Sequence, residues 1–133
     1  MELLILTPAK TLIEENVDEV TLPGKLGEMG ILPGHTHLIS ELDIGVVVYK
    51  EANYDKLRAA FISGGIVEIK DDVVKILTPY GEKGEEIDIE QAERELKKAE
   101  EEIEKGSLDQ KKLLEIEVAL KRALAKLQAS KYR

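Results

Sequence analysis

The chain has no cysteine, no tryptophan and a single phenylalanine, and none of its apolar runs approaches the ~18 residues that span a bilayer. Without cysteine there is no disulfide, no thiolate nucleophile and no Cys-ligated zinc, which fits a reducing compartment. No signal-peptide core follows Met1, so membrane association is expected to come through a partner, not by direct bilayer insertion. Walker, Rossmann, nucleophile-elbow and H-E-x-x-H patterns are all missing. The only histidines, His35 and His37, lie two apart in Pro-Gly-His-Thr-His with no carboxylate cluster nearby in sequence, and read as structural or interface residues, not as metal ligands. Basic surplus is lacking too: the net charge of -8 argues against nucleic acid as a partner. Asparagine and glutamine are scarce beside abundant Glu and Lys, a balance seen in heat-adapted proteins.

What is present divides near residues 81–84. Before that point, short runs rich in Val, Ile and Thr predict strands at 2–7, 11–15, 17–22, 29–32, 45–49, 56–63, 66–70 and 73–78. Pro23-Gly24, Pro33-Gly34, Gly64-Gly65 and Asp71-Asp72 read as turns between them. Closely spaced strands without a helical period point to a β-sandwich or barrel, and the scarcity of aromatics requires an aliphatic core. The stretch Gly27-Glu28-Met29-Gly30-Ile31-Leu32-Pro33-Gly34-His35 reads as a rigid surface loop presenting Glu28 and His35.

Beyond residue 84 the period becomes helical. Ile89, Ala92, Leu96, Ala99 and Ile103 recur at steps of three and four, as do Leu113, Ile116, Leu120, Ala123 and Leu127. Asp88 with Gln91 reads as the first helix start, Gly106 as its left-handed stop, and Ser107 with Gln110 as a capping box for the second. A loop this short implies an antiparallel hairpin, with Leu96, Ala99 and Ile103 facing Leu120, Ala123 and Leu127. The fold class is therefore β + α, an N-terminal β-sandwich (1–84) followed by a C-terminal antiparallel two-helix hairpin (85–133) across a flexible joint at 81–84.

Charge divides the helices as well. Residues 88–104 carry eight acids against Arg94, Lys97 and Lys98, a balance of -5, while residues 109–133 carry three acids against seven bases, a balance of +4. Packed together the helices attract each other; apart, the second is a basic arm for an acidic partner.

The strings VDEVTLPG (17–24), GEMGILPGHTHLI (27–39), FISGGIVEI (61–69), VKILT (74–78) and ALKRA (119–123) together resemble the ε subunit family of F-type ATP synthase across essentially the whole chain. A departure is His37, where that family usually has proline. The resemblance implies a non-catalytic central-stalk subunit that couples proton flow through the rotor to ATP synthesis, on the cytoplasmic face of the bacterial inner membrane. It implies contacts of Glu28, Met29, Ile31 and His35 with the γ subunit and the c-ring. It further implies that Lys121, Arg122 and Lys126 meet the α/β catalytic subunits when the hairpin extends and inhibits hydrolysis. Some members bind ATP through an I/L-D-x-x-R-A motif. Here Ile87-Asp88-Ile89-Glu90-Gln91-Ala92 has Gln91 at the arginine position, with Arg122 and Lys126 on the second helix, so a weak site or none is expected and no cofactor is implied. Residues alone leave two other classes open, a nucleotide-binding regulatory module and a β-domain that dimerises through a coiled-coil tail.

Overall fold

Alternating apolar residues build seven strands in the computed structural model, which describes residues 1–106 and 109–132. They are β1 (Glu2–Leu6), β2 (Thr11–Gly24), β3 (Gly27–Ile31), β4 (Leu38–Glu51), β5 (Leu57–Lys70), β6 (Val73–Leu77) and β7 (Gly81–Lys83). One sheet runs β1-β6-β5-β4-β2-β3, and an added β1–β2 pairing closes it on itself, so the strands enclose their core as a flattened barrel-like sandwich. Leu3, Ile5, Val20, Leu22, Val67 and Ile76, each at most 1% exposed, lie in that core, which is aliphatic apart from Tyr49.

The expected strands at 11–15 and 17–22 form one strand, β2, whose first half pairs with β1 and whose second half pairs with β3 and β4. The runs at 56–63 and 66–70 likewise form one strand, β5. Gly64 and Gly65 therefore bend a strand and do not reverse the chain. Their backbones sit at φ 84° and 137°, accessible to glycine. Core residues on β5 switch from Ala60 and Ile62 to Val67 and Ile69, a change from even to odd positions. On β4 they switch from Leu42 to Val47 and Tyr49 at the matching place. Such a shift flips which face is buried, so both strands contribute to the core on either side of the bend. Asp71 and Asp72 do make a turn, at φ 51° and 63°.

The chain from 81 to 84 is not a slack joint. Gly81–Lys83 pairs with β5 as β7, and Gly84–Glu86 forms a 3-10 turn. Gly84 is buried where an added Cβ would lie 2.4 Å from the Ala129 carbonyl oxygen and 3.1 Å from that of Ala59. Arg58 ties this segment down by pairing with Glu51 on β4 and with Glu85 at 2.9 Å.

Helix α1 (Ile89–Glu104) is capped by Asp88, whose carboxylate accepts the Gln91 amide at 3.1 Å. It ends at Lys105, with Gly106 left-handed at φ 69°. Helix α2 (Gln110–Ser130) starts differently from the sequence reading: Asp109 is its N-cap, accepting from the Lys112 amide at 2.7 Å, which makes Gln110 the first helical residue. Ser107, half of the expected capping box, lies outside the described residues. The two helices follow one another across residues 105–109 and line one groove, with Glu95, Ala99 and Glu102 from α1 and Lys112, Ile116 and Arg122 from α2, as an antiparallel pair. Ala92, Ala99, Ile116 and Ala123 are buried, while Leu96, Leu120 and Leu127 are half-buried and Ile103 is 37% exposed. Of the residues expected to face each other, the two alanines are covered, the three leucines are partly covered and Ile103 is the most open.

Candidate functional site

Helix α2 lies across the outer face of β4 and β5. Ala125 and Ala129 pack with Ala59, Phe61 and Ile87, flanked by Ile44, Val46, Val48 and Tyr132. Ile44, Val46 and Val48 on β4 and Ala59 and Phe61 on β5 are left pointing outward by the switch in those strands, so the bend that closes the core also builds the hairpin's seat.

The basic residues of α2 ring this apolar contact. Lys121 pairs with Asp43, and Lys126 pairs with Glu82 at 3.3 Å, both partners of the latter pair being largely covered. Arg122 sits 5.4 Å from the Phe61 ring centre and 5.8 Å from that of Tyr80, and Lys126 sits 5.5 Å and 5.8 Å from the same two rings. Burial and the Glu82 carboxylate beside it push the Tyr80 phenol up to about 12. The hydrogen bond from Lys121 holds the Asp43 carboxyl below its ordinary value, with desolvation opposing and the Ile44 amide adding to the effect. A depressed carboxyl pKa contributes stability above the unfolded value and loses it as pH falls through the folded one, so this pair holds at neutral pH and loosens only in acid. Among the described residues, no ion pair joins α1 to α2. The ion-pair partners of Lys121 and Lys126 are on the sandwich.

Asp88, Gln91 and Ala92 gather with Glu82, Ile87, Glu95 and Lys126 around a cavity of about 20 Å³ at the hairpin–sandwich junction. That is room for about one water. Asp88 is occupied as a helix cap, the Gln91 amide donates to Glu95 at 3.2 Å, and Ala92 is buried. Arg122 is not in this cavity; it faces the wider groove of about 290 Å³ between the helices, with Lys98, Lys112 and Glu115.

The glycine-rich segment divides by side. Glu28 is exposed on edge strand β3, Met29 is half-buried, and Ile31 is 1% exposed in the core, so Ile31 offers no side chain to a partner. His35 is exposed and its Nδ1 donates to the Thr36 carbonyl at 2.7 Å. The Gly34 amide donates to Asp72 at 3.0 Å, which pins the loop to the β5–β6 turn. His37 approaches Glu68 at 3.8 Å, and no three potential metal-binding side chains converge among the described residues.

One surface was missed. Leu26, Ile39, Ile66 and Leu77 are 106%, 63%, 49% and 51% exposed. Ile66 and Leu77 are directly opposite across β5 and β6, and Ile39 lies diagonally from Ile66 across β4 and β5. Lys25–Glu41 and His37–Glu68–Lys75 rim them with charge. The signal lay in the Ile66-Val67 and Leu38-Ile39 pairs, where both faces of a strand are apolar although only one is inside.

No described helix is long and apolar enough to cross a membrane. A β-sandwich with a helical hairpin folded onto one face and an open apolar face elsewhere defines a module that works by binding through its surfaces. Residues 1–84 match the model of the ATP synthase delta/epsilon chain beta-sandwich domain, and residues 85–131 match that of its long alpha-helix domain. The chain belongs to the ATP synthase delta/epsilon chain family. The ATP synthase epsilon chain of Trichlorobacter lovleyi is 38% identical over 130 residues, covering 98% of this chain and 93% of that one. The epsilon chain of Carboxydothermus hydrogenoformans is 42% identical over 104 residues, covering 77% and 75%. A chain in the Euglena gracilis mitochondrial ATP synthase structure (OSCP/F1/c-ring, rotational state 1) superposes with a TM-score of 0.80 at 29% identity, covering 96% of this chain and 79% of that one.

Proposed function

We propose that this chain is the non-catalytic epsilon subunit of a proton-translocating rotary ATP synthase, held at the cytoplasmic face of the membrane by its partners. The sandwich (1–84) couples the γ subunit to the c-ring, and the hairpin (85–133) restrains ATP hydrolysis when it swings toward the α/β subunits. The observation that supports this best is the division of surfaces. The hairpin covers one outer face through contacts that are mostly polar at their edge, while the Leu26–Ile39–Ile66–Leu77 face stays open with a charged rim, as a permanent docking surface would be. The exposed Glu28, on edge strand β3, and His35, beside the Gly34–Asp72 bond that pins its turn, add polar contacts from backbone that loses little entropy on docking.

The test is binding to a γ–c-ring complex. Ile39→Asp with Ile66→Asp is expected to weaken binding roughly a hundredfold, since both sit at the centre of the apolar face. Glu28→Ala with His35→Ala is expected to weaken it about tenfold or less, as rim contacts do. Unchanged affinity in the first variant, with the fold intact by circular dichroism, removes the apolar face from the interface.

Nucleotide sensing is not part of this function. The junction cavity is small, Gln91 replaces the motif arginine and bonds Glu95, and Lys126 is already paired with Glu82. Calorimetry on the isolated chain is expected to show ATP affinity no tighter than about 1 mM, and Gln91→Arg to strengthen it. Low-micromolar binding lost in Asp88→Ala would reverse this reading.

A further inference from the structure

The geometry points to a latch in which the sandwich occupies the very cations that the hairpin would carry to another surface. Each of the three basic residues in the middle of α2 has its own seat: Lys121 on Asp43, Arg122 on the Phe61 and Tyr80 rings, and Lys126 on Glu82 and the same rings. Arg122 and Lys126 are four apart on one helix face, where like charges repel. Two carboxylates lie at this junction, Glu82 on the sandwich, 3.3 Å from Lys126, and Glu95 on α1, and of the two only Glu82 stays behind when the hairpin leaves. It is held in place by β7, where Glu82 pairs with Phe61 in the ladder. Tyr80 is fixed by its backbone, its carbonyl accepting from the Ser63 amide at 3.0 Å and the Thr78 hydroxyl at 3.1 Å. The short strand β7, at the expected joint, thus supplies one seat of the latch, Glu82.

The consequence is an asymmetry between the two sides. Removing the cations of α2 weakens the docked state and also any extended state that uses them against an acidic partner, so the balance moves little. Removing Asp43 and Glu82 weakens the docked state alone. The sandwich side therefore sets how acidic a competing surface must be before the hairpin leaves. This consequence for hydrolysis rests on the regulatory reading above, whereas the latch itself is a property of the isolated chain.

The experiment uses the whole chain with spin labels at Lys10→Cys and Leu114→Cys, two exposed positions in a cysteine-free background. Asp43→Asn keeps an acceptor for the Ile44 amide and Glu82→Gln keeps the side-chain shape, so the fold is retained while both charges are lost. The expected result is a released fraction roughly tenfold larger in the Asp43→Asn, Glu82→Gln protein, and docking that weakens with added salt in the parent but not in the double variant. Tyr80→Leu, which removes one exposed ring and leaves the backbone bonds, is expected to release the hairpin in the same direction. Identical distance distributions in parent and variants, or docking of the parent that is indifferent to salt, would overturn the latch. In assembled enzyme the double variant is expected to hydrolyse ATP more slowly than the parent. Release in the isolated chain without that change would keep the latch and sink the regulatory reading instead.

Discussion

Gly65→Ala is expected to cost the sandwich about 3 kcal/mol, enough to lower its melting temperature by more than any other single methyl added to the chain. Two effects combine. The backbone at φ 137° lies in a region that side chains rarely enter, and the new Cβ would stand 2.1 Å from the Leu77 carbonyl oxygen and 3.1 Å from the Thr78 Cα. These are backbone atoms of the neighbouring segment, so no rotamer change relieves the clash. Gly30→Ala is the matched control: it sits in the other glycine-rich string, has ordinary φ, and nothing lies within 4 Å of its added Cβ, so it should change stability by about 0.5 kcal/mol or less. Denaturant unfolding of both variants checks the pair. Equal stabilities would mean that the bend in β5 relaxes freely and that the FISGG string has another reason.

Truncation after Gly84 is expected to leave a folded domain that binds γ, with hydrolysis by the assembled enzyme equal to or higher than that of the parent. The aliphatic core is sealed by β1 to β6 without help from the helices, and β7 survives the cut. The loss is at the outer face. Phe61 goes from fully buried to exposed, Ala59 and the flanking Ile44, Val46 and Val48 lose α2, and Arg58 loses Glu85. Burial on this scale corresponds to about 2–4 kcal/mol, and the bared strip should make the truncated domain less soluble. Calorimetric unfolding, sedimentation and a γ-binding assay together check this. A fragment that cannot fold or cannot bind γ would make the hairpin a structural element and end its regulatory reading.

Much of this protein was legible residue by residue because the signals are local. Alternation along a strand and recurrence along a helix depend on near neighbours, so the change of period near residue 84, the Asp88 cap and the Gly106 stop could be placed without a fold. The glycine-rich strings were legible as special backbone, but not as to purpose. Gly64 and Gly65 look the same in sequence whether they reverse a chain or bend a strand, because the difference lies in whether the segments on either side keep one partner. They do: β4 runs alongside β5 through the bend. Ile31 shows the limit in another way, since an apolar residue in an apparently exposed string is placed inside only by the register of β3 on β2.

The candidate sites were legible as residue types and not as groupings. Lys121, Arg122 and Lys126 announce themselves as a basic cluster, but their partners Asp43, Phe61, Tyr80 and Glu82 lie 42 to 78 positions away, and no local pattern links them. The motif around Asp88 announces a junction, but only packing sets its size. By itself, then, the sequence determined a β-rich first part with an aliphatic core, two amphipathic helices of opposite charge with the first one's cap, and no catalytic motif, because each of these follows from near-neighbour chemistry. The tertiary structure alone decided which face of each bent strand is inside, that residues 81–83 are a pairing strand, that the cations of α2 rest on the sandwich instead of on α1, and that Leu26, Ile39, Ile66 and Leu77 form one open face. Each of these depends on contacts between segments far apart in the chain, where register and packing set the distances.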